Sequence, residues 1–203
     1  MSTDRVRICV LLSGRGSNFE AILKASQADD YPAEIVLVAS DQHAATGLET
    51  AQRADIPSLA LPPKNYASKQ AQEDALHTVL SQHGVELIVL AGYMRLLSSQ
   101  FVERWPNRIL NIHPSLLPAY PGLNTHKRAL ADGAEVHGCT VHIVDRGMDT
   151  GPILARSQLN IDAQDDEDSL AARVLKMEHR LYHRVIADFC DRMRGVNSVS
   201  TEV

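Results

Sequence analysis

Residues 7–18 read RICVLLSGRGSN, in which an apolar run leads directly into a glycine-rich turn. The run Arg7–Leu12 is short and is bounded by the turn, which is typical of a strand buried on both faces of a sheet. The segment that follows, Ser17–Ala25, has its apolar residues at helical spacing. A strand, a tight turn and a helix in this order form the first unit of an α/β fold.

The alternation of strands and helices continues through the first half of the chain. Further strands are predicted at Ile35–Ala39, Ser58–Leu61 and Leu87–Ala91, and helices at Gly47–Ala54 and Ser68–His83. Gly84 follows the last helix, where a glycine commonly closes a helix. Strands separated by helices of this length predict βαβ units, and therefore a mainly parallel, twisted, Rossmann-like sheet with helices on both faces.

The second half changes character after a short strand at Ile109–His113. A proline-rich loop at 114–122 follows, then helices are predicted at Thr125–Ala131 and Ser169–Met193 and two antiparallel strands at Gly138–Val144 and Ile153–Ile161. No repeat and no low-complexity linker interrupts the chain. We therefore expect one domain over 1–203, with a flexible polar tail at about 195–203.

Composition excludes several classes of protein. The 203 residues carry 20 Lys and Arg against 25 Asp and Glu, a net charge of −5, whereas nucleic-acid binders usually carry a basic excess. No stretch approaches the roughly 20 apolar residues of a membrane span. The scattered cysteines (Cys9, Cys139 and Cys190) exclude a disulfide scaffold. We expect a cytoplasmic protein that binds neither nucleic acid nor membrane.

The glycine-rich turn at 13–18 is a candidate phosphate site. Its glycines let backbone N–H groups approach a ligand, and the start of a helix favours an anion. It is not a Walker A loop, and Phe19 stands where the dinucleotide fingerprint has Gly or Ala. Two interpretations stay open: a site for one phosphate monoester, or a tight turn in which Ser17 or Asn18 caps the helix.

Polar side chains end the predicted strand at Ile109–His113. Alternation along the strand places Asn111 and His113 on one face, at the edge of the sheet where open α/β folds bind ligands. Asp149, in a turn before a later strand, either bonds its own backbone or raises the pKa of a nearby imidazole. The sequence does not show that Asp149 meets His113.

The other histidines carry weaker signals. His137 and His142 are five residues apart on a predicted strand and thus on opposite faces, which argues against a shared metal. Residue type and position favour a helix-surface role for His126, and a solvated helix face for Glu178 and His179. No metal is expected.

Four segments in order resemble one family: GSN at 16–18, AGYMRLL at 91–97, NIHPSLLP at 111–118 and MDTGP at 148–152. The chain resembles the 10-formyltetrahydrofolate-dependent formyltransferases over residues 6–190. The early loop and Glu178-His179 resemble the members that act on glycinamide ribonucleotide (GAR). The resemblance implies that GAR attacks the formyl group of 10-formyltetrahydrofolate directly, giving formyl-GAR and tetrahydrofolate in de novo purine biosynthesis.

The resemblance also implies residue roles. Asn111 and His113 would stabilise the oxyanion of the reaction, with Asp149 assisting proton transfer. The GAR phosphate and ribose would be bound by Gly16, Ser17, Asn18, Leu175, Lys176, Met177 and Glu178. The folate would be bound by Lys69, Met94, Arg95, Leu96, Leu97, Asn111, Asp145, Arg146, Gly147, Met148 and Asp149. Lys69 stands where the family often has arginine, so the charge is kept but the bidentate fork is lost. Leu117–Pro118 would be a cis bond.

Three other functions are alternatives to that prediction. A methionyl-tRNA formyltransferase would carry a further tRNA-binding domain and a basic surface, and a formyltetrahydrofolate hydrolase would carry a further N-terminal domain. A folate-binding sensor would share the fold without turnover. The predicted partners are small molecules, and the predicted state is a monomer or a homodimer.

Overall fold

Seven strands form one sheet in the order β3-β2-β1-β4-β5-β6-β7 in the computed structural model, which describes residues 5–195. The strands are β1 (Val6–Leu12), β2 (Ala33–Ser40), β3 (Ser58–Ala60), β4 (Leu87–Leu90), β5 (Ile109–His113), β6 (Val136–Ile143) and β7 (Ile153–Asn160). The helices are α1 (Ser17–Ser26), α2 (Thr46–Arg53), α3 (Lys69–Gln82), α4 (Ser99–Arg104), α5 (Thr125–Ala131) and α6 (Glu167–Met193), with a 3₁₀ turn at Pro63–Asn65.

The predicted fold class is confirmed. Strands β1 to β5 pair in parallel, and β6 and β7 add to the sheet in antiparallel fashion. Sequence reasoning missed α4, whose six residues are too few to show helical periodicity. It also started α6 two residues late, because Asp166 and Ser169 form a capping box before the apolar face begins. The predicted tail lies, from residue 196 onward, outside the described residues.

Both faces of the sheet are covered, which explains the uninterrupted apolar run in β1. Val10 and Leu12 belong to the core that contains residues of α1, α2 and α6, whereas Cys9 and Leu11 belong to the core that contains residues of α3 and α4. The three cysteines are free and buried. None of the helices within residues 5–195 has a length and apolarity sufficient to span a bilayer.

The two central strands lead to opposite faces of the sheet. Strand β1 runs into α1, which packs in the first core, and its neighbour β4 leads to α4, which packs in the second. Divergence of adjacent parallel strands opens a crevice at their carboxyl ends, where α/β proteins bind ligands. From α6, the buried Tyr182 hydroxyl donates to the carbonyls of Leu90 and Leu110, each 3.0 Å away, and so ties that helix to β4 and β5.

Strands β6 and β7 approach each other closely at Gly138. A Cβ at Gly138 would collide with the carbonyl oxygen of Ser157 and lie 2.9 Å from Cα of Gln158, both on the paired strand. We expect Gly138→Ala to destabilise the protein by about 2 kcal/mol, because backbone atoms cannot move aside as side chains do. Gly14→Ala is the matched control, since a Cβ there meets no heavy atom within 4 Å. Urea unfolding measures both, and equal midpoints for the two variants would contradict the expectation.

Candidate active site

The glycine-rich turn leaves the start of α1 open. Gly16 is the N-cap residue, in the left-handed region at φ 77°, and no side chain caps the helix. The prediction that Ser17 or Asn18 caps α1 is therefore wrong. A Cβ at Gly16 would lie 3.0 Å from Cα of Gly47, so glycine is also needed for the close approach of α2. An uncapped helix start keeps its N–H groups available for an anion.

Asn18 and Glu178 meet behind this turn, although they are 160 residues apart in sequence. The Asn18 amide donates to Oε2 of Glu178 at 2.7 Å, and both side chains are buried. Burial raises the pKa of Glu178 to about 7, and the Asn18 hydrogen bond opposes that rise. The solvated helix face favoured by residue type is wrong for Glu178. Oδ1 of Asn18 is a buried acceptor without a partner within residues 5–195.

The three residues that precede Glu178 on α6 differ in their exposure. Leu175 and Met177 are half-buried, and Met177 packs against the core that contains α1. Lys176 is exposed. Of the four predicted residues on this helix, Glu178 is the one that hydrogen-bonds to the glycine-rich turn within residues 5–195.

The structure brings His113 and Asp149 together at the end of β5. Nδ1 of His113 lies 3.4 Å from Oδ2 of Asp149, and Nε2 of His113 donates to the carbonyl of Tyr120 at 2.9 Å. The backbone N–H of Gly122 donates to Oδ2 of Asp149 at 2.8 Å, from the proline-rich loop. Asp149 thus bonds a distant loop, and Asp145 makes the local turn by accepting from the N–H of Gly147 at 3.0 Å.

Sequence reasoning missed His142, which links Asn111 to this pair. The Asn111 amide donates to Nε2 of His142 at 3.1 Å, and Nδ1 of His142 lies 3.0 Å from the carbonyl of Ile143, which places its proton on Nδ1. Nε2 is also 3.6 Å from Oδ1 of Asp149. In the antiparallel pair of β5 and β6, Asn111 lies opposite His142. Pairing the two predicted strands in this register would have identified His142 from the sequence.

His137 and His142 contact different residues. Nε2 of His137 is 3.1 Å from Nδ1 of His126, whereas His142 contacts Asn111 and Asp149. His126 is half-buried against His137, and the predicted surface position is wrong.

Burial governs the charges in the site. The pKa of His113 lies below its usual value because burial disfavours the imidazolium, although Tyr120 and Asp149 act to raise it. Asp149 therefore acts in the predicted direction but is outweighed. Burial also acts to raise the pKa of Asp149, yet the hydrogen bond from the Gly122 N–H and the positive charge that the neighbouring histidines carry when protonated hold it below its usual value. At neutral pH the free protein thus holds a carboxylate beside a mostly neutral imidazole.

The predicted folate segments form an exposed apolar surface. Among residues 5–195, six large apolar side chains are exposed, and four of them lie in loops at this edge: Met94, Leu96, Leu123 and Met148. Leu97 packs against the core that contains α3, and Arg95 is half-buried. Arg146 pairs with Glu103 of α4 at 2.8 Å. Exposed apolar groups beside a polar cluster are typical of a ligand-binding slot.

Ser13 joins this surface to the glycine-rich turn. Its N–H donates to the carbonyl of Gly92 at 3.1 Å, and its hydroxyl accepts from the N–H of Met94 at 2.8 Å. Lys69, one of the predicted folate contacts, starts α3, and its Nζ lies 3.8 Å from Oε1 of Glu73. The Leu117–Pro118 bond is cis, as predicted.

Comparison with known proteins identifies this arrangement. Residues 6–186 match the family model described as formyl transferase. The chain belongs to the formyl transferase family. A phosphoribosylglycinamide formyltransferase of Bacillus subtilis is 44% identical over 180 residues, which are 89% of this chain and 92% of the relative. A glycinamide ribonucleotide transformylase structure from Symbiobacterium toebii superposes with a TM-score of 0.91 at 43% identity, covering 95% of this chain and 90% of that one.

Some relatives are much longer. The trifunctional purine biosynthetic protein adenosine-3 of Drosophila melanogaster is 44% identical over the whole of this chain, which spans only 15% of its length. The formyltransferase fold therefore also occurs as one part of a multifunctional protein.

Glu178→Gln tests the buried carboxyl. A carboxyl with a raised pKa destabilises the folded state increasingly as pH rises from its usual value of 4.5 to about 7, because the unfolded chain loses the proton first. We expect Glu178→Gln, which cannot ionise, to gain up to about 3 kcal/mol relative to the parent between about pH 5 and pH 8. Urea unfolding at both pH values measures this gain. The exposed Glu20 of α1 supplies the control Glu20→Gln, and a gain that is the same at both pH values would refute the assignment.

Proposed function

We propose that this protein transfers the formyl group of 10-formyltetrahydrofolate to the amino group of GAR, giving formyl-GAR and tetrahydrofolate in de novo purine biosynthesis. The observation that carries the proposal is the convergence of Asn111, His113 and Asp149 at the crevice, in a chain of this family. The names of the bacterial relatives and of the trifunctional relative support the substrate and the pathway.

GAR would bind across the turn and α6. In this proposal the phosphate accepts hydrogen bonds from the N–H groups of Gly16, Ser17 and Asn18, where the uncapped helix start favours an anion. Glu178 and the free oxygen of Asn18 supply buried acceptors, which suit the donating hydroxyl groups of a ribose. The amino group of GAR would then reach towards the end of β5.

The folate would lie in the apolar slot. The side chains of Met94, Leu96 and Met148 present apolar surface that a flat heteroaromatic ring would cover, and Asn111 supplies a polar contact nearby. Asp145 holds its loop in shape through Gly147 and Thr150. These residues fit a reduced folate, which enters the reaction as a substrate and is released as tetrahydrofolate.

In this proposal Asn111 stabilises the oxyanion. Attack of an amine on a formyl group produces a tetrahedral oxyanion, which preorganised N–H donors stabilise. One amide hydrogen of Asn111 is engaged by His142, which fixes the orientation of the amide and leaves the second hydrogen for the oxyanion. A donor in this position lowers the barrier by roughly 3–4 kcal/mol.

His113 moves the proton in this mechanism. The attacking amine must lose a proton and folate N10 must gain one. Because Nε2–H is held by Tyr120, the exchanging atom is Nδ1, which faces Asp149. The lowered pKa keeps the imidazole neutral, so Nδ1 accepts the proton of the amine. Asp149 then stabilises the imidazolium, which donates a hydrogen bond to the oxyanion. The imidazolium transfers its proton to N10 as the oxyanion collapses and the bond between the formyl carbon and N10 breaks.

Two alternatives share the binding surfaces. A hydrolase would release tetrahydrofolate with water as the acceptor, and a sensor would bind folate without turnover. The Asn18–Glu178 pair behind the helix start favours a transferase, because a hydrolase needs no second binding site for a ribonucleotide.

The proposal predicts that release of tetrahydrofolate requires the acceptor GAR. Purified protein should release tetrahydrofolate from 10-formyltetrahydrofolate only when GAR is present, because the amine is the nucleophile. A coupled measurement of tetrahydrofolate and formyl-GAR with and without GAR tests this. Equal release without GAR would indicate a hydrolase. His113→Ala is the control for a sensor: it should lose turnover by orders of magnitude while tetrahydrofolate still binds.

The pH profile tests the pairing of Asp149 with His113. Removing the carboxylate in Asp149→Asn removes the charge that favours the imidazolium, so the pKa of His113 should fall further below its usual value. Neutral His113 then persists to lower pH, and the acid limb of the residual activity should shift to lower pH. Asp145→Asn, in the same loop but paired with Gly147 and Thr150, is the control. An unchanged acid limb in Asp149→Asn would refute the pairing.

The remaining expectations stay predictions. The proposed partners are the two small-molecule substrates, with no nucleic acid, membrane or metal, and the proposed location is the cytoplasm. A monomer or a homodimer is the expected state.

A further inference from the structure

Glu73 is a buried carboxylate that the proposed mechanism does not use. It lies on α3 with 5% of its surface exposed. Both of its oxygens accept hydrogen bonds from one residue, Ser98: the Ser98 N–H donates to Oε1 at 2.8 Å and the Ser98 hydroxyl donates to Oε2. A buried charge is tolerated only where such donors compensate for lost water. Lys69, 3.8 Å from Oε1, adds the nearby positive charge.

Ser98 stands at one end of the apolar slot. It directly follows Leu97, and its hydroxyl also accepts from the N–H of Phe101 at 3.1 Å, which caps α4. At the other end, the Met94 N–H is held by Ser13. Residues 94–98 are therefore anchored at both ends, by Ser13 in the turn after β1 and by Glu73 on α3.

Other contacts join α3 to α4 besides the one between Glu73 and Ser98. Asp74, the next residue on α3, already pairs with Arg104 at the far end of α4, at 2.6 Å. The two helices also share an apolar core. What the contact adds is a charged, directional bond at the residue where the slot ends.

We propose that Glu73 is a positioning residue for the folate slot, an inference that rests on the proposed function. Through Ser98 it sets the position of residues 94–97, and through Lys69 it holds an ammonium group beside the same end. Charge-assisted hydrogen bonds to backbone and hydroxyl are short and directional, so they fix a loop more tightly than apolar packing. Loss of the carboxylate should therefore weaken folate binding and leave GAR binding and chemistry intact.

The experiment compares Glu73→Gln, Ser98→Ala, the double variant and Asp74→Asn in the full-length protein. KM for 10-formyltetrahydrofolate, KM for GAR and kcat are measured for each, together with Kd for tetrahydrofolate. We expect each of the first two variants to raise the folate KM and the tetrahydrofolate Kd about tenfold, with GAR KM and kcat within about twofold. The effects of the two single variants should combine less than additively in the double variant, since both alter the hydroxyl bond between Glu73 and Ser98, whereas the Ser98 N–H still reaches residue 73. Asp74→Asn should leave the folate constants unchanged.

The result that overturns the proposal is an unchanged folate KM, a parallel rise of both KM values, or additive effects in the double variant. A parallel rise would assign Glu73 a purely structural role. If Glu73→Gln does not fold, as urea unfolding would show, Ser98→Ala removes the hydroxyl bond from its other side while the Ser98 N–H bond remains, and its folate constants decide the question. Failure of the proposed function is separate: the parent protein would then fail to formylate GAR, while tetrahydrofolate binding by the variants still tests Glu73.

Discussion

The divergence of two adjacent parallel strands is the constraint on which the site depends. β1 and β4 pair side by side but send their following helices to opposite faces, so their loops part at the carboxyl edge of the sheet. Such a crevice is the one place where two loops can contact a ligand without being covered by a helix. Ser13 bridges it, bonding Gly92 and Met94 across the gap. The phosphate turn and the folate slot are neighbours for this reason.

Three carboxylates lie around the crevice, Glu73 and Glu178 buried and Asp149 partly buried, and each is held by fixed donors. Asp149 accepts from Gly122 beside His113, Glu178 accepts from Asn18, and Glu73 accepts from Ser98. Burying a carboxylate destabilises the fold unless such donors are present. The fixed donors also orient the carboxylates, and a site whose charges are already in place reorganises little during the reaction. At Glu178 the Asn18 hydrogen bond offsets the effect of burial only in part, so the pKa of this carboxyl is raised to about 7.

Local patterns predicted much of this protein. The strands and most helices follow from apolar runs and helical spacing, and parallel pairing follows from the helices between strands. Short elements escaped, as α4 did, because six residues contain too little periodicity. Resemblance of the motifs to a family supplied the site residues. Residue type alone favoured a solvated Glu178 and a surface His126, because neither burial nor a distant partner is visible in a local pattern.

The sequence by itself determined the fold class, the strand-end position of Asn111 and His113, and the glycine at the start of α1. These depend on residues close in the chain, whose spacing encodes which face each side chain takes. Only the tertiary structure decided that Asp149 meets His113, that His142 orients Asn111, that Asn18 holds Glu178, and that burial outweighs Asp149 in setting the pKa of His113. Those outcomes depend on loop closure, strand register and the exclusion of water, which are properties of the packed molecule and not of any segment.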